Sequence, residues 1–169
     1  MIAVPLSRRV GYLAAAGFVL ALLAHVSTFT GTAVDAGFPL VLVFQFGMIL
    51  VWAVLMIFML AKFARRVQFD DLIRCLPPRA GVACILVFAY TMIDLIVCMS
   101  QMEGNAYVVA GQYVLSSHGH VLAHLTEHEY HAHRALELRA LSGVWLAVYA
   151  IPAVCLLSWR EPPPARVNQ

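Results

Sequence analysis

The chain has 169 residues, 62% hydrophobic and only 12% charged, with a formal net charge of +2. A water-soluble domain carries about twice that charged fraction. The mean hydropathy of +0.83 therefore predicts a polytopic membrane protein of one domain, residues 1–169, and the small net charge argues against a nucleic-acid partner.

The N-terminus, MIAVPLSRRV, runs directly into a long apolar segment with no short core followed by small residues, which predicts a retained first helix and not a cleaved signal. Four apolar stretches can cross about 30 Å of hydrocarbon: residues 10–30, 38–63, 80–100 and, barely long enough, 141–159. The links between spans one and two (GTAVDAG) and between two and three are short, so sequential spans are expected to pack antiparallel. Nine of the eleven basic residues fall on one side: Arg8, Arg9, Lys62, Arg65, Arg66, Arg74, Arg79, Arg160 and Arg166. Only Arg134 and Arg139 fall on the other, which predicts cytoplasmic termini. The Pro-rich tail, 160–169, reads as disordered.

Residues 101–140 form the expected extracytoplasmic cap. In YVVAGQYVLSSHGHVLAHL, apolar and β-branched residues surround Ala110-Gly111 and His118-Gly119, the pattern of a hairpin or three-stranded meander. Thr126 and Glu129 fit a capping box. The helix they start meets no Gly or Pro before Gly143 and is expected to run into span four.

Six of the seven histidines lie within residues 118–133. His118, His120, His124, His128 and His131 are candidate ligands for zinc or copper, since neutral imidazole is a common metal ligand. His128 and His131 are three apart on the expected helix, whereas Thr126 separates His124 from it. The alternatives are a solvated polar surface and a pH-responsive element. The four cysteines form no C-x-x-C pair, which argues against a disulfide framework or a Cys-rich zinc site.

A second polar layer lies inside the spans. His25, Gln45 and Asp94 sit roughly 8 to 11 Å below the outer surface at 1.5 Å per residue. Ionisable groups in hydrocarbon are costly unless paired, so all three are expected to face the bundle interior. His25 extends a small-residue stripe from Gly17 and Ala21, and Asp94 shares its face with Tyr90, Thr91, Cys98 and Gln101. His25 and Asp94 are predicted to face each other, with Gln45 nearby and Arg139, Trp145 and Tyr149 completing the layer. With His25 the sole intramembrane histidine, a bis-histidine haem is not expected, and no nucleotide or hydrolase motif is present.

The strings YVLSSHGH, LTEHEY and RALSGVWLAVY, between Tyr113 and Tyr149, resemble a group of small four-span bacterial inner-membrane proteins. The resemblance implies an inner-membrane setting and brings no activity, substrate or cofactor. The expected fold is an all-α membrane protein: an antiparallel bundle of four transmembrane helices with a small extracytoplasmic β-hairpin and a helical extension of the fourth span. The leading functional expectation is a non-enzymatic interaction or assembly partner acting through the cap, with the lipid bilayer and a membrane protein or a second copy as partners. Metal homeostasis and a redox or proton-handling subunit are the alternatives.

Overall fold

The computed structural model describes residues 6–30, 38–63 and 76–159. The predicted link GTAVDAG, most of the basic link and the tail lie outside the described residues. Within them are four long helices and one small sheet, in the order α1 (Leu6–Ser27), α2 (Phe38–Phe63), α3 (Pro78–Gln101), β1 (Asn105–Val109), β2 (Gln112–Ser117), β3 (His120–His124) and α4 (Glu127–Ser158). All four helices are long and apolar enough to cross a membrane.

The ends of these elements follow from local chemistry. Pro78 opens α3, where its missing N–H costs nothing. Thr126 caps α4: its hydroxyl accepts from the Glu129 amide at 3.3 Å, and the Glu129 carboxylate accepts from the Thr126 amide at 2.7 Å. The Thr126 amide and, at 2.8 Å, the Thr126 hydroxyl both donate to the Glu129 carboxylate and hold it below its ordinary value of 4.5. Once started, α4 runs unbroken for 32 residues, about 48 Å at 1.5 Å per residue. That exceeds the hydrocarbon thickness by roughly 12 residues, so the helix extends well beyond a span.

The strands form a meander in the order β1-β2-β3. Both turns take two residues with positive φ, Ala110 (51°) with Gly111 (79°) and His118 (51°) with Gly119 (83°). This conformation matches the right-handed twist of the strands and favours Gly or Asn. The sheet rests on the N-terminal third of α4. Tyr113 packs on Tyr130 with ring centroids 4.7 Å apart, and the Ala106 amide donates to Glu137 Oε1 at 2.9 Å.

The core is built around α4. Over its apolar stretch 67% of residues are buried, against 17% for α2 and for α3. Helix α4 packs most extensively on α1, then on α3 and α2. The expectation that every consecutive pair of spans packs together needs correction. Helices α1 and α2 do, but α2–α3 is not among the extensive contacts, and α3 rests on α4. The reason is visible in the residues: Ala14 and Ala21 of α1 are fully buried, and small side chains let the backbones approach. At Gly17 a Cβ would lie 2.6 Å from the Tyr149 ring.

Helix α2 joins through aromatic groups. Phe44 stacks on Trp145 at 4.4 Å and 7°, and the Tyr149 hydroxyl donates to the Phe44 carbonyl at 2.7 Å. Trp52 Nε1 donates to the Val148 carbonyl at 2.9 Å. That carbonyl has lost its helical partner because the residue four positions on is Pro152, which has no N–H. A tryptophan from a neighbouring helix satisfies it.

Candidate functional site

The strongest concentration of buried polar chemistry lies where α1, α3 and α4 meet. His25, Thr91, Asp94 and Ser142 are each at most 3% exposed. His25 comes from the last turn of α1, Tyr90, Thr91 and Asp94 from the middle of α3, and Arg139, Ser142 and Gly143 from α4.

Hydrogen-bond accounting assigns their states. The Ser142 hydroxyl has one proton, which goes to the Leu138 carbonyl at 2.7 Å. Toward His25 Nδ1, 3.0 Å away, Ser142 Oγ must therefore accept. Nδ1 therefore carries a proton, and Nε2 lies 2.6 Å from the Tyr90 hydroxyl, from which it accepts when the ring is neutral. Asp94 Oδ2 lies 4.0 Å from that same Nε2. Asp94 Oδ1 receives Arg139 Nε at 2.7 Å and has Arg139 Nη2 at 2.6 Å. The charges of Asp94 and Arg139 thus cancel beside the imidazole. The guanidinium carbon lies over Phe29, 4.2 Å from the ring centre.

Close helix crossing is a condition of this arrangement. A Cβ at Gly143 would sit 3.1 Å from Asp94 Oδ2 and 3.6 Å from His25 Cε1. The Thr91 hydroxyl ties the same point by donating to the Gly143 carbonyl at 3.0 Å.

Of the six residues expected in this layer, His25, Asp94 and Arg139 are found there and three are not. Gln45 is exposed on α2 and does not join His25 or Asp94. Its neighbour Phe44 turns inward onto Trp145, and a step of about 100° along the helix carries Gln45 away. Trp145 and Tyr149 belong to the apolar core against α2. Ser142 and Phe29 were not anticipated. The only sign of Ser142 was a small Ser-Gly pair one turn after Arg139.

The cap histidines are dispersed. His118 occupies a turn, His120 and His124 bound β3, and His128 and His131 lie in the first turns of α4. His131 Nε2 is 3.9 Å from Glu127 Oε1, both well exposed. Among the described residues, no three His, Cys, Asp or Glu side chains come together in a way that could hold a metal ion. The five residues expected as zinc or copper ligands are therefore not gathered into one site.

Beside the buried cluster, and sharing Arg139 with it, is an open cleft of about 400 Å³ between the C-terminal end of α1 and α4. Phe29 and Thr28 line one wall, His128 and His131 the top, and Arg139 the floor. Compared with known proteins, the chain matches no family model, no curated protein and no solved structure.

Proposed function

We propose that the chain is a four-span integral membrane protein, termini cytoplasmic and cap outside, whose buried site takes up and returns a proton from the outer side. The observation that carries this reading is the His25 environment: a buried imidazole, which we read as neutral at rest, with Tyr90 on Nε2 at 2.6 Å and a carboxylate oxygen 4.0 Å from the same nitrogen. A proton arriving at Nε2 would turn the Tyr90 hydroxyl from donor to acceptor. The imidazolium would then face Asp94 on α3, with Tyr90 and Cys98 on α3 and Arg139 and Ser142 on α4 as the other groups around it.

Geometry supports a one-sided site. From Arg139 to Ser158, α4 has about 20 residues, roughly 30 Å. His25 thus lies just below the outer boundary, under the open cleft. Inward of it come Trp145, Tyr149 and Phe44, and the polar atoms there are committed: Tyr149 to the Phe44 carbonyl and Trp52 to the Val148 carbonyl. No chain of exchangeable groups continues inward among the described residues. The test is a pH titration of protein with ¹⁵N-labelled histidine in nanodiscs. His25 should show the Nδ1–H neutral tautomer at high pH and convert to imidazolium on acidification, with a coupled change at Tyr90. A single neutral tautomer persisting until the protein unfolds would overturn the proposal.

A second reading, the interaction or assembly partner, is favoured by the exposed apolar residues of the sheet. Tyr107, Val108, Val109, Val121 and Leu122 are each more than half exposed. Patches of this kind mark contacts with a protein or a membrane surface. Replacing Val121 and Leu122 by serine and measuring the mass of the native complex in nanodiscs tests it. Loss of a larger assembly would support it, and an unchanged monomer in both forms would count against it.

A further inference from the structure

We infer that the cleft between the outer ends of α1 and α4 is a binding site for a phosphate group, borne by an anionic lipid headgroup or free in solution. This inference does not rest on proton uptake by His25; it rests on a different set of groups that share only Arg139 and Phe29 with that site.

The cleft holds about 400 Å³, within the range of sites for small molecules. Its floor is a guanidinium whose side chain is 29% exposed. Arg139 has five N–H donors, and its Nε and Nη2 are directed to one oxygen of Asp94. The remaining donors have no partner among the described residues. The guanidinium carbon rests 4.2 Å from the Phe29 ring centre and the group is held by Asp94, so little freedom is lost when it binds. A preorganised guanidinium is the group best suited to phosphate oxygens.

The upper wall adds two imidazoles, His128 and His131, one turn apart on α4. Each has an N–H to offer when neutral and two when protonated. Glu127 Oε1 lies 3.9 Å from His131 Nε2. Arg139 and His128 are eleven positions apart, about 16 Å along the helix, so the cleft presents donors at two heights. Between them Ala135 and Leu136 and the exposed Phe29 ring offer apolar walls. Phosphate donors at two heights with apolar sides suit an amphiphilic phosphate better than a metal or a neutral sugar.

Because Arg139→Ala would also break the Asp94 pair, the decisive variants leave the pair intact. Ala135 lines the cleft, so Ala135→Glu puts a negative charge inside it and Ala135→Lys a positive one of similar size. Wild type and both variants are purified in a neutral detergent, folding is checked by circular dichroism, and phosphatidylglycerol and inorganic phosphate are titrated separately. Retention of phosphatidylglycerol is read by native mass spectrometry and inorganic phosphate binding by calorimetry. The wild type should bind at least one probe, Ala135→Glu should bind it about tenfold or more weakly, and Ala135→Lys should bind it at least as well as wild type. Binding of phosphatidylglycerol alone assigns the site to a lipid, and binding of inorganic phosphate alone assigns it to a free anion. Equal affinity in all three forms, or equal losses in both variants, would overturn the inference, as would no binding of either probe.

Discussion

Removing the charge on Asp94 is the perturbation with the clearest energetic consequence. Its side chain is 2% exposed, one oxygen is bound by Arg139 at 2.6 and 2.7 Å, and the other lies 4.0 Å from His25 Nε2. In Asp94→Asn the amide oxygen can still accept from Arg139, so one hydrogen bond survives. The guanidinium, however, is left without its counter-charge. Unit charges about 4 Å apart interact by about 4 kcal/mol at an effective dielectric of 20, and removing one partner of a buried pair costs about 3–5 kcal/mol. Arg139→Gln leaves the opposite charge stranded and should cost a similar amount. The double variant Asp94→Asn/Arg139→Gln strands neither and keeps a neutral hydrogen bond, so its loss should be at least about 2 kcal/mol smaller than the two single losses together. The assay is reversible unfolding in mixed micelles followed by tryptophan fluorescence, Trp145 being 2% exposed beside this site. Additivity to within about 0.5 kcal/mol would refute a direct pair.

Three further outcomes are expected. Trp52→Phe strands the Val148 carbonyl and should cost about 1–3 kcal/mol; in a Pro152→Ala background, where the helix supplies its own N–H, the same change should cost at least about 1 kcal/mol less, by the same unfolding assay. His118→Asn should raise hairpin stability by roughly 0.5 kcal/mol, because His118 holds a left-handed φ of 51°; slowed amide exchange in β2 and β3 would show it, and unchanged or faster exchange would not. The α4 cap depends on ionised Glu129, whose folded value is depressed by the Thr126 bonds. Its contribution is fully present above the ordinary 4.5 and is lost as pH falls through the lower folded value, so first-turn amides of α4 should lose protection there while those near Trp145 keep theirs.

Much of this arrangement was legible in the chain. The Thr126–Glu129 box, the Gly-containing turns and the continuous outer helix each depend on local chemistry, and each is found. Asp94 announced a need for compensation by being a carboxylate in an apolar run, and Arg139 stood at the matching end of another. What was not legible depends on helix rotation and neighbour choice. Gln45 lies at a similar depth to His25, but the stacking of Phe44 on Trp145 decides which side of α2 faces inward. Chain order suggested that α3 would lie against α2, whereas the small residues of α4 make it the common neighbour. Ser142 gains its role only because Gly143 lets α1 and α3 converge on that point. The cap histidines were conspicuous by number, yet sheet and helix geometry keeps them apart.

The central claim is a proton site open to one side. It is tested most directly in proteoliposomes with the cap facing out, their orientation fixed by protease digestion of the cap, by infrared difference spectroscopy with isotope-labelled histidine and a His25→Gln control. Acidifying the cap side from about pH 8 to about pH 5 should produce a His25 imidazolium band absent from the control. Acidifying the tail side alone should produce none. A His25 band that follows the tail side, or no His25 band with either side acidified, would contradict the account.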